Sequence, residues 1–222
     1  MQSGLYVALS GQIALQRRID TIAHNVANVS TAGFRAEEIK FETLVSQVPL
    51  EPTAFSTLGE TYLSRRSGEF TRTDNPFDVA VNGDAWMAFQ GPAGTVYTRD
   101  GRMRITPTGD LQTLNGYPVL DVGGAPITLN ANGGPPVIAH DGMITQGGTQ
   151  VGAIGLFSIA EDAKLSRFEN SGVVPDRPAE PALDFSRVGV SQGYIERANV
   201  NAVMEMTQLV MMSRSFDAVT NS

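Results

Sequence analysis

Cysteine is absent from this 222-residue chain, histidine occurs twice and tryptophan once. Without thiols there can be no disulfide framework, no thiol chemistry and no cysteine-ligated metal. The two histidines, His24 and His140, stand at no spacing that builds a metal site. No apolar run approaches the ~20 residues needed to span a bilayer, and the N-terminus lacks a basic segment leading into an apolar core and cleavage site. By these signs alone the chain reads as cytoplasmic, with no membrane insertion and no cofactor. Acidic residues outnumber basic ones by 23 to 16, for a net charge of −7 and a pI near 4.8, which argues against nucleic acid or an anionic membrane as partner. The basic clusters Arg17-Arg18, Arg65-Arg66 and Arg99, Arg102, Arg104 are read as solvated faces.

Catalytic constellations are equally scarce. Ser10-Gly11 lacks the preceding glycine of a nucleophile elbow, and Gly147-Gly148 and the glycines from 152 to 155 match no phosphate loop. His140-Asp141-Gly142 could pair a base with a carboxylate, but Asp-Gly is better explained by the backbone demands of a turn. Glu37-Glu38 and Glu161-Asp162 are adjacent pairs that a helix would splay apart, so they make poor acid–base partners. The chain is not expected to be an enzyme.

The two ends carry the strongest pattern. Leu5, Ala8, Gln12, Leu15, Ile19, Ile22, Val26 and Val29 follow steps of three and four residues, as do Ile195, Ala198, Ala202, Glu205, Leu209, Met212, Phe216 and Val219. Such apolar stripes predict amphipathic helices that need a partner. Two stripes at opposite ends predict that the terminal helices pair in a coiled-coil-like way, with each other and with copies from neighbouring subunits. Asn25 and Asn28 are poor interior helix formers, and Ser30-Thr31-Ala32-Gly33 reads as a terminating turn in which Gly33 takes positive φ.

Between the ends, 15 of the 23 glycines lie from residue 83 to 155. The turn pairs Asn82-Gly83, Asp100-Gly101, Asn115-Gly116 and Asp141-Gly142 separate short runs of β-formers. Strands are expected at 79–81, 86–90, 96–99, 103–106, 111–114, 119–121, 127–129, 137–139, 143–145 and 153–159, making an all-β barrel or sandwich. Trp86, Phe89, Tyr97, Tyr117 and Phe157 are read as its packing rather than as a ligand platform. The fold class is therefore α+β. Residues 1–34 and 192–222 are expected to form a discontinuous helical assembly domain, 35–77 a linker with an extended strand from Tyr62 to Thr73, and 78–191 the β-rich domain. Gly172 to Pro181 reads as a return loop.

The run from His24 to Arg35 resembles the N-terminal signature of the bacterial flagellar rod and hook proteins, with His24, Ser30 and Arg35 replacing two Asn and a Lys of that pattern. Asp78 to Asp84, Tyr97 to Gly101 and Asn115 to Asp121 look like the family's β-domain signatures, in the family's order. Gly193 to Asn201 is similar to its C-terminal element, followed by Glu205-Met206-Thr207 and Arg214-Ser215-Phe216-Asp217. The shortness of the chain argues against hook subunits and hook-associated proteins. The opening Leu5-Tyr6-Val7-Ala8-Leu9-Ser10-Gly11 looks most like proximal-rod members; a distal-rod protein is the alternative within the family, and a secreted, oligomeric, adhesin-like binding module the alternative outside it.

The resemblance implies a structural subunit whose terminal helices line a hollow drive shaft, with the β-domain outside. Implied partners are other proximal and distal rod subunits and the flagellar type III export apparatus. The implied location is the periplasmic rod of the basal body, reached without a cleaved signal peptide. Residues expected at the assembly interface are Leu5, Leu15, Ile19, Ile22, Asn25, Val26, Asn28, Val29, Gly33, Phe34, Ile195, Glu196, Asn199, Val200, Asn201, Met206, Leu209, Met212 and Phe216. Family members run several turns beyond the Arg-x-Phe element, so the native chain is expected to continue past Ser222.

Overall fold

The computed structural model describes residues 2–40, 43–45, 54–56 and 60–220. It divides into two units, the first comprising Met1–Val29, Arg35–Arg65 and Val200–Ser222, the second Ser30–Phe34 and Arg66–Asn199.

The first unit holds helix α1 (Gln2–Ala27), strands β1 (Glu37–Lys40), β2 (Thr43–Val45), β3 (Ala54–Ser56) and β4 (Glu60–Leu63), and helix α2 (Ala202–Thr220). The helices pack on each other, and β1 lies against α1. β1 pairs antiparallel with β4, and β2 with β3. Of the α1 stripe, Ile22 is buried and Leu15, Ile19 and Val26 are half-buried; Ala14, beside the stripe, is buried as well. On α2, Ala202, Glu205, Leu209, Met212 and Phe216 are half-buried.

Helix α1 stops because its last turn tightens: the Asn28 and Val29 amides reach back three residues to the Asn25 and Val26 carbonyls, at 3.2 and 3.3 Å. The Asn28 side chain closes the end by donating to the His24 carbonyl at 3.0 Å. Helix α2 starts at an N-cap, where Asn201 Oδ1 accepts from the Met204 amide at 3.1 Å. The second apolar stripe was read as beginning at Ile195. In the structure Ile195 belongs to a strand and Ala198 to the loop before α2, because pairing with a distant strand outweighs the local helical spacing.

The second unit contains β5 (Phe70–Arg72), β6 (Val79–Asn82), β7 (Trp86–Gly91), β8 (Gly94–Thr98), β9 (Met103–Ile105), β10 (Leu111–Thr113), β11 (Val137–Ile138), β12 (Met143–Gln146), β13 (Thr149–Ala153), β14 (Leu156–Ser158), β15 (Leu165–Phe168), β16 (Gly172–Pro175), β17 (Glu180–Pro181), β18 (Gly189–Gln192) and β19 (Tyr194–Glu196). Six strands form an antiparallel sheet in the order β15-β16-β8-β7-β14-β17, and β11-β12-β13 form another. The incoming and outgoing legs of the chain zip together: β5 pairs with β19 and β6 with β18. Among the described residues no sheet closes into a barrel, so the barrel expectation is corrected to an open six-stranded sheet with smaller ribbons.

The core lies between these sheets. Val79, Val81, Met87, Leu111, Ile144, Leu156 and Val190 are among its buried members. The expected stretches at 119–121 and 127–129 pair only through single bridges, at Val119, Leu120 and Thr128. The expected return loop instead contributes β16 and β17 to the large sheet. The single extended strand expected from Tyr62 to Thr73 is replaced by β4 in one unit and β5 in the other.

Ile144 is fully buried and sits between β11 and β13. Ile144→Ala should lower the unfolding free energy of the second unit by about 2–5 kcal/mol. The measurement is denaturant unfolding followed by the fluorescence of Trp86, which is buried in the same unit.

Candidate functional site

In the second unit the N- and C-terminal signatures meet at a buried ion pair. The turn after α1 brings Gly33 to φ +67°, in the left-handed region that the turn chemistry demands. A side chain there would overlap the backbone of Asp100. The Gly33 amide donates to the Glu196 carbonyl at 2.8 Å, and the neighbouring Phe34 carbonyl accepts from the Asn199 amide at 3.3 Å. Phe34 is fully buried, with the Arg167 guanidinium 4.3 Å from its ring centroid.

Glu196 ends β19 with none of its surface exposed. Its Oε2 accepts from Arg99 Nε at 2.8 Å and its Oε1 from the Gly68 amide at 2.7 Å. The rest of the Arg99 fork is spent on the chain around it: Nη1 donates to the Gly83 carbonyl at 2.8 Å and to the Ala85 carbonyl, and Nη2 to Ser67 Oγ at 3.2 Å. Trp86 lies under the guanidinium at 5.9 Å. Arg99 therefore corrects the reading of its cluster as a solvated face. Its neighbour Arg102 pairs with Asp100 at 2.7 Å and is partly exposed, while Arg104 lies on the surface.

In the first unit the corresponding anchor is Asn25, also buried. Its Nδ2 donates to the Glu37 carbonyl and its Oδ1 accepts from the Glu37 amide, each at 2.9 Å. This is the bonding pattern of one more β-bridge, and it fastens β1 to α1. Glu37 and Glu38 consequently stand on a strand, not on the helix that was considered for them. His24 Nδ1 lies 3.4 Å from Glu37 Oε1. Burial raises the Glu205 carboxyl of α2 above its ordinary range, with Asn25 opposing and Glu38 adding to the rise.

The expected interface residues therefore separate into groups. Gly33, Phe34, Ile195, Glu196 and Asn199 lie in the second unit; Asn25, Asn28, Val29, Val200 and Asn201 border the helices in the first. Leu15, Ile19, Ile22, Val26, Leu209, Met212 and Phe216 follow the helix stripes, whereas Met206 is 52% exposed on the other side of α2. Leu5 lies on α1 outside the residues whose side chains are described. The sequence reading missed Arg99 and Gly68 as partners of Glu196. The available signal was that Arg99 stands inside the Tyr97-to-Gly101 motif rather than in a charge run. The other candidate chemistry dissolves into turns: Asp141 Oδ1 accepts from the Met143 amide at 3.0 Å, and a side chain at Gly189 would overlap the His140 ring.

Comparison with known proteins bears on both anchors. The family model for flagella basal body rod protein matches residues 5–35. The model for the flagellar hook protein FlgE/F/G D1 domain matches 80–146, and that for the flagellar basal body rod FlgEFG protein C-terminal region matches 191–222. The chain is 51% identical to the flagellar basal-body rod protein FlgF of Mesorhizobium japonicum, over 98% of its own length and 90% of that relative. The chain belongs to the flagellar basal-body rod protein family. Within this rod family it is 46% identical to FlgF of Rhizobium meliloti, over 99% of its length and 91% of the relative. Identity to FlgG of Bacillus subtilis is 29%, over 98% and 92%. The matched end segments carry Asn25 and Gly33 on one side and Glu196 on the other.

Two substitutions test the ion-pair anchor in this rod protein. Glu196→Gln leaves Arg99 buried without its counter-charge and should destabilise the second unit by about 3–5 kcal/mol in denaturant unfolding. Replacing both residues, as Glu196→Leu with Arg99→Met, should recover part of that loss. Gly33→Val should cost at least about 1–2 kcal/mol for the left-handed backbone, plus the overlap with Asp100, visible as a lower melting temperature of the same unit.

Proposed function

We propose that this chain is a FlgF-like structural subunit of the flagellar basal-body rod and that it joins neighbouring subunits through its paired terminal helices in a coiled-coil-like packing. The observation that carries this reading is the outward face of α2. One side of the helix is turned towards α1, yet Val203, Met204, Met206, Val210 and Met211 on its other sides are each more than half exposed, from 52% to 75%. Leu9 and Ile13 of α1 are exposed as well, at 49% and 41%. A surface so apolar marks a contact, and methionine adapts its shape to a partner helix.

The role is mechanical. Torque is carried by laterally packed helices with a stiff core. FlgF relatives lead FlgG relatives in identity, at 34% to 51% against 27% to 30%, which supports the proximal rod. Assembly with proximal and distal rod subunits, passage through the flagellar type III export apparatus and retention of the N-terminus without signal cleavage belong to the same reading.

Met206→Asp and Leu209→Asp separate its parts in cells that lack the native gene. Both variants should be exported through the flagellar gate and keep the melting transition of the second unit. Met206→Asp should leave helix content unchanged and abolish incorporation into basal bodies. Leu209→Asp, on the α1-facing side, should lower helix content as well, by placing a carboxylate in a helix contact at a cost of several kcal/mol. Normal incorporation of Met206→Asp, measured in isolated basal bodies, overturns the assignment of this face.

A further inference from the structure

The chain has no cysteine, so its sulfur chemistry rests on eight methionines, and four of these, Met204, Met206, Met211 and Met212, fall within nine residues of α2. Their surroundings divide them. Met87 and Met103 belong to the core of the second unit, at 1% and 3% exposed, and Met143 and Met212 are half-buried. Met204, Met206 and Met211 are 58%, 52% and 57% exposed. Helical spacing puts Met204 and Met211, seven positions apart, on one line, and Met206 beside Val203 and Val210 at steps of three and four. These thioethers stand in solvent, away from the side of α2 that faces α1.

We propose that Met204, Met206 and Met211 form an oxidation site, at which a peroxide converts the thioethers to sulfoxides and removes the apolar contact face of α2 while the β-rich unit stays folded. With hydrogen peroxide, a sulfur lone pair attacks one oxygen, the O–O bond breaks and an S–O bond forms. The departing hydroxide takes the proton from the transferred oxygen and leaves as water; the sulfur is oxidised and the peroxide reduced. A sulfoxide is polar where the thioether was apolar and flexible, so the oxidised face gains little by leaving water. Val203 and Val210 remain, but beside sulfoxide oxygens that a helix contact would have to desolvate. No thiolate in the chain diverts the oxidant, and burial keeps it from Met87 and Met103. Methionine sulfoxide reductases reverse the change and restore the face.

The chemistry depends on exposure alone, whereas its consequence for the rod rests on the assembly role of α2 proposed above. Subunits oxidised before they are incorporated are the ones affected, because a face already covered by a neighbour is shielded.

The test treats the purified full chain with hydrogen peroxide and follows each methionine by peptide mass spectrometry. Met204, Met206 and Met211 should oxidise several-fold faster than Met87 and Met103, while helix content and the melting transition of the second unit hold. Comparable rates, or a melting transition that falls in step with oxidation of α2, overturn the site. In a second arm, cells making the wild type, or a variant combining Met204→Leu, Met206→Leu and Met211→Leu, receive hydrogen peroxide during rod assembly. Incorporation into basal bodies is scored against each strain's own untreated sample. The wild type should lose several-fold more than the triple variant, and each single Met→Leu variant, which keeps the other thioethers, should fall between. Equal losses across these strains overturn the consequence for assembly. Met206→Asp in untreated cells reports on the face itself, so a face that is no contact is told apart from a contact that oxidation leaves intact.

Discussion

The point where the chain enters and leaves the second unit is held by one desolvated ion pair. Burying a guanidinium and a carboxylate costs several kcal/mol per ion before their attraction is counted. That loss is offset only where every remaining donor and acceptor is met. Here Arg99 spends its donors on Glu196, Gly83, Ala85 and Ser67, and Glu196 takes a further bond from Gly68. Four separate stretches of backbone are thereby drawn to one point. The requirement explains the glycines as well, since Gly33 and Gly68 both lie where a side chain would overlap neighbouring backbone.

The same pair sits where the chain enters and leaves the β-rich unit. Strands β5 and β6 on the incoming leg find their partners, β19 and β18, more than a hundred residues later, with Phe70 opposite Glu196 and Val81 opposite Val190. Between the two ladders Gly193, at φ +77°, donates to the Asp78 carbonyl and accepts from the Thr73 and Asp74 amides, so the outgoing leg changes register without losing its partners. Closure of this kind pays its loop entropy before its contacts form. The ion pair and the nested strands therefore depend on each other: the strands exclude water from Arg99, and Arg99 holds the segments from which the strands start.

This mutual dependence also explains what could be read from the residues in order. Turn-delimited strands such as β6, β7 and β12 announce themselves through Asn-Gly and Asp-Gly pairs flanking β-formers, and Gly33 announces its left-handed backbone through the residues around it. Ile195 does not. Its neighbours place it on a helical period, and only the pairing with Thr71 makes it a strand residue. β16 and β17 are similarly hidden, since Pro175, Pro178 and Pro181 speak for a loop until the large sheet supplies partners. Charge was the least legible property: an arginine in a cluster of three reads as solvated, and its burial follows from a glutamate 97 positions away. Asn25, a poor helix former by propensity, is legible only as an interruption until the backbone of Glu37 appears beside it.

The family signatures thus encode two different demands in neighbouring residues. Asn25 and Asn28 finish a helix and attach a strand to it; five positions on, Gly33 and Phe34 complete a β-rich core. At the other end Glu196 closes that core, and Asn201 opens the next helix. Residues buried in this way cannot meet another subunit directly, so a substitution at Gly33 or Glu196 that blocks rod formation acts through the fold of the subunit itself. Met206 and Met211 present the reverse case, since they have exposed side chains and bear little on the isolated chain. Defects in assembly alone should accordingly trace to the outer face of α2, and defects in both folding and assembly to the signature residues.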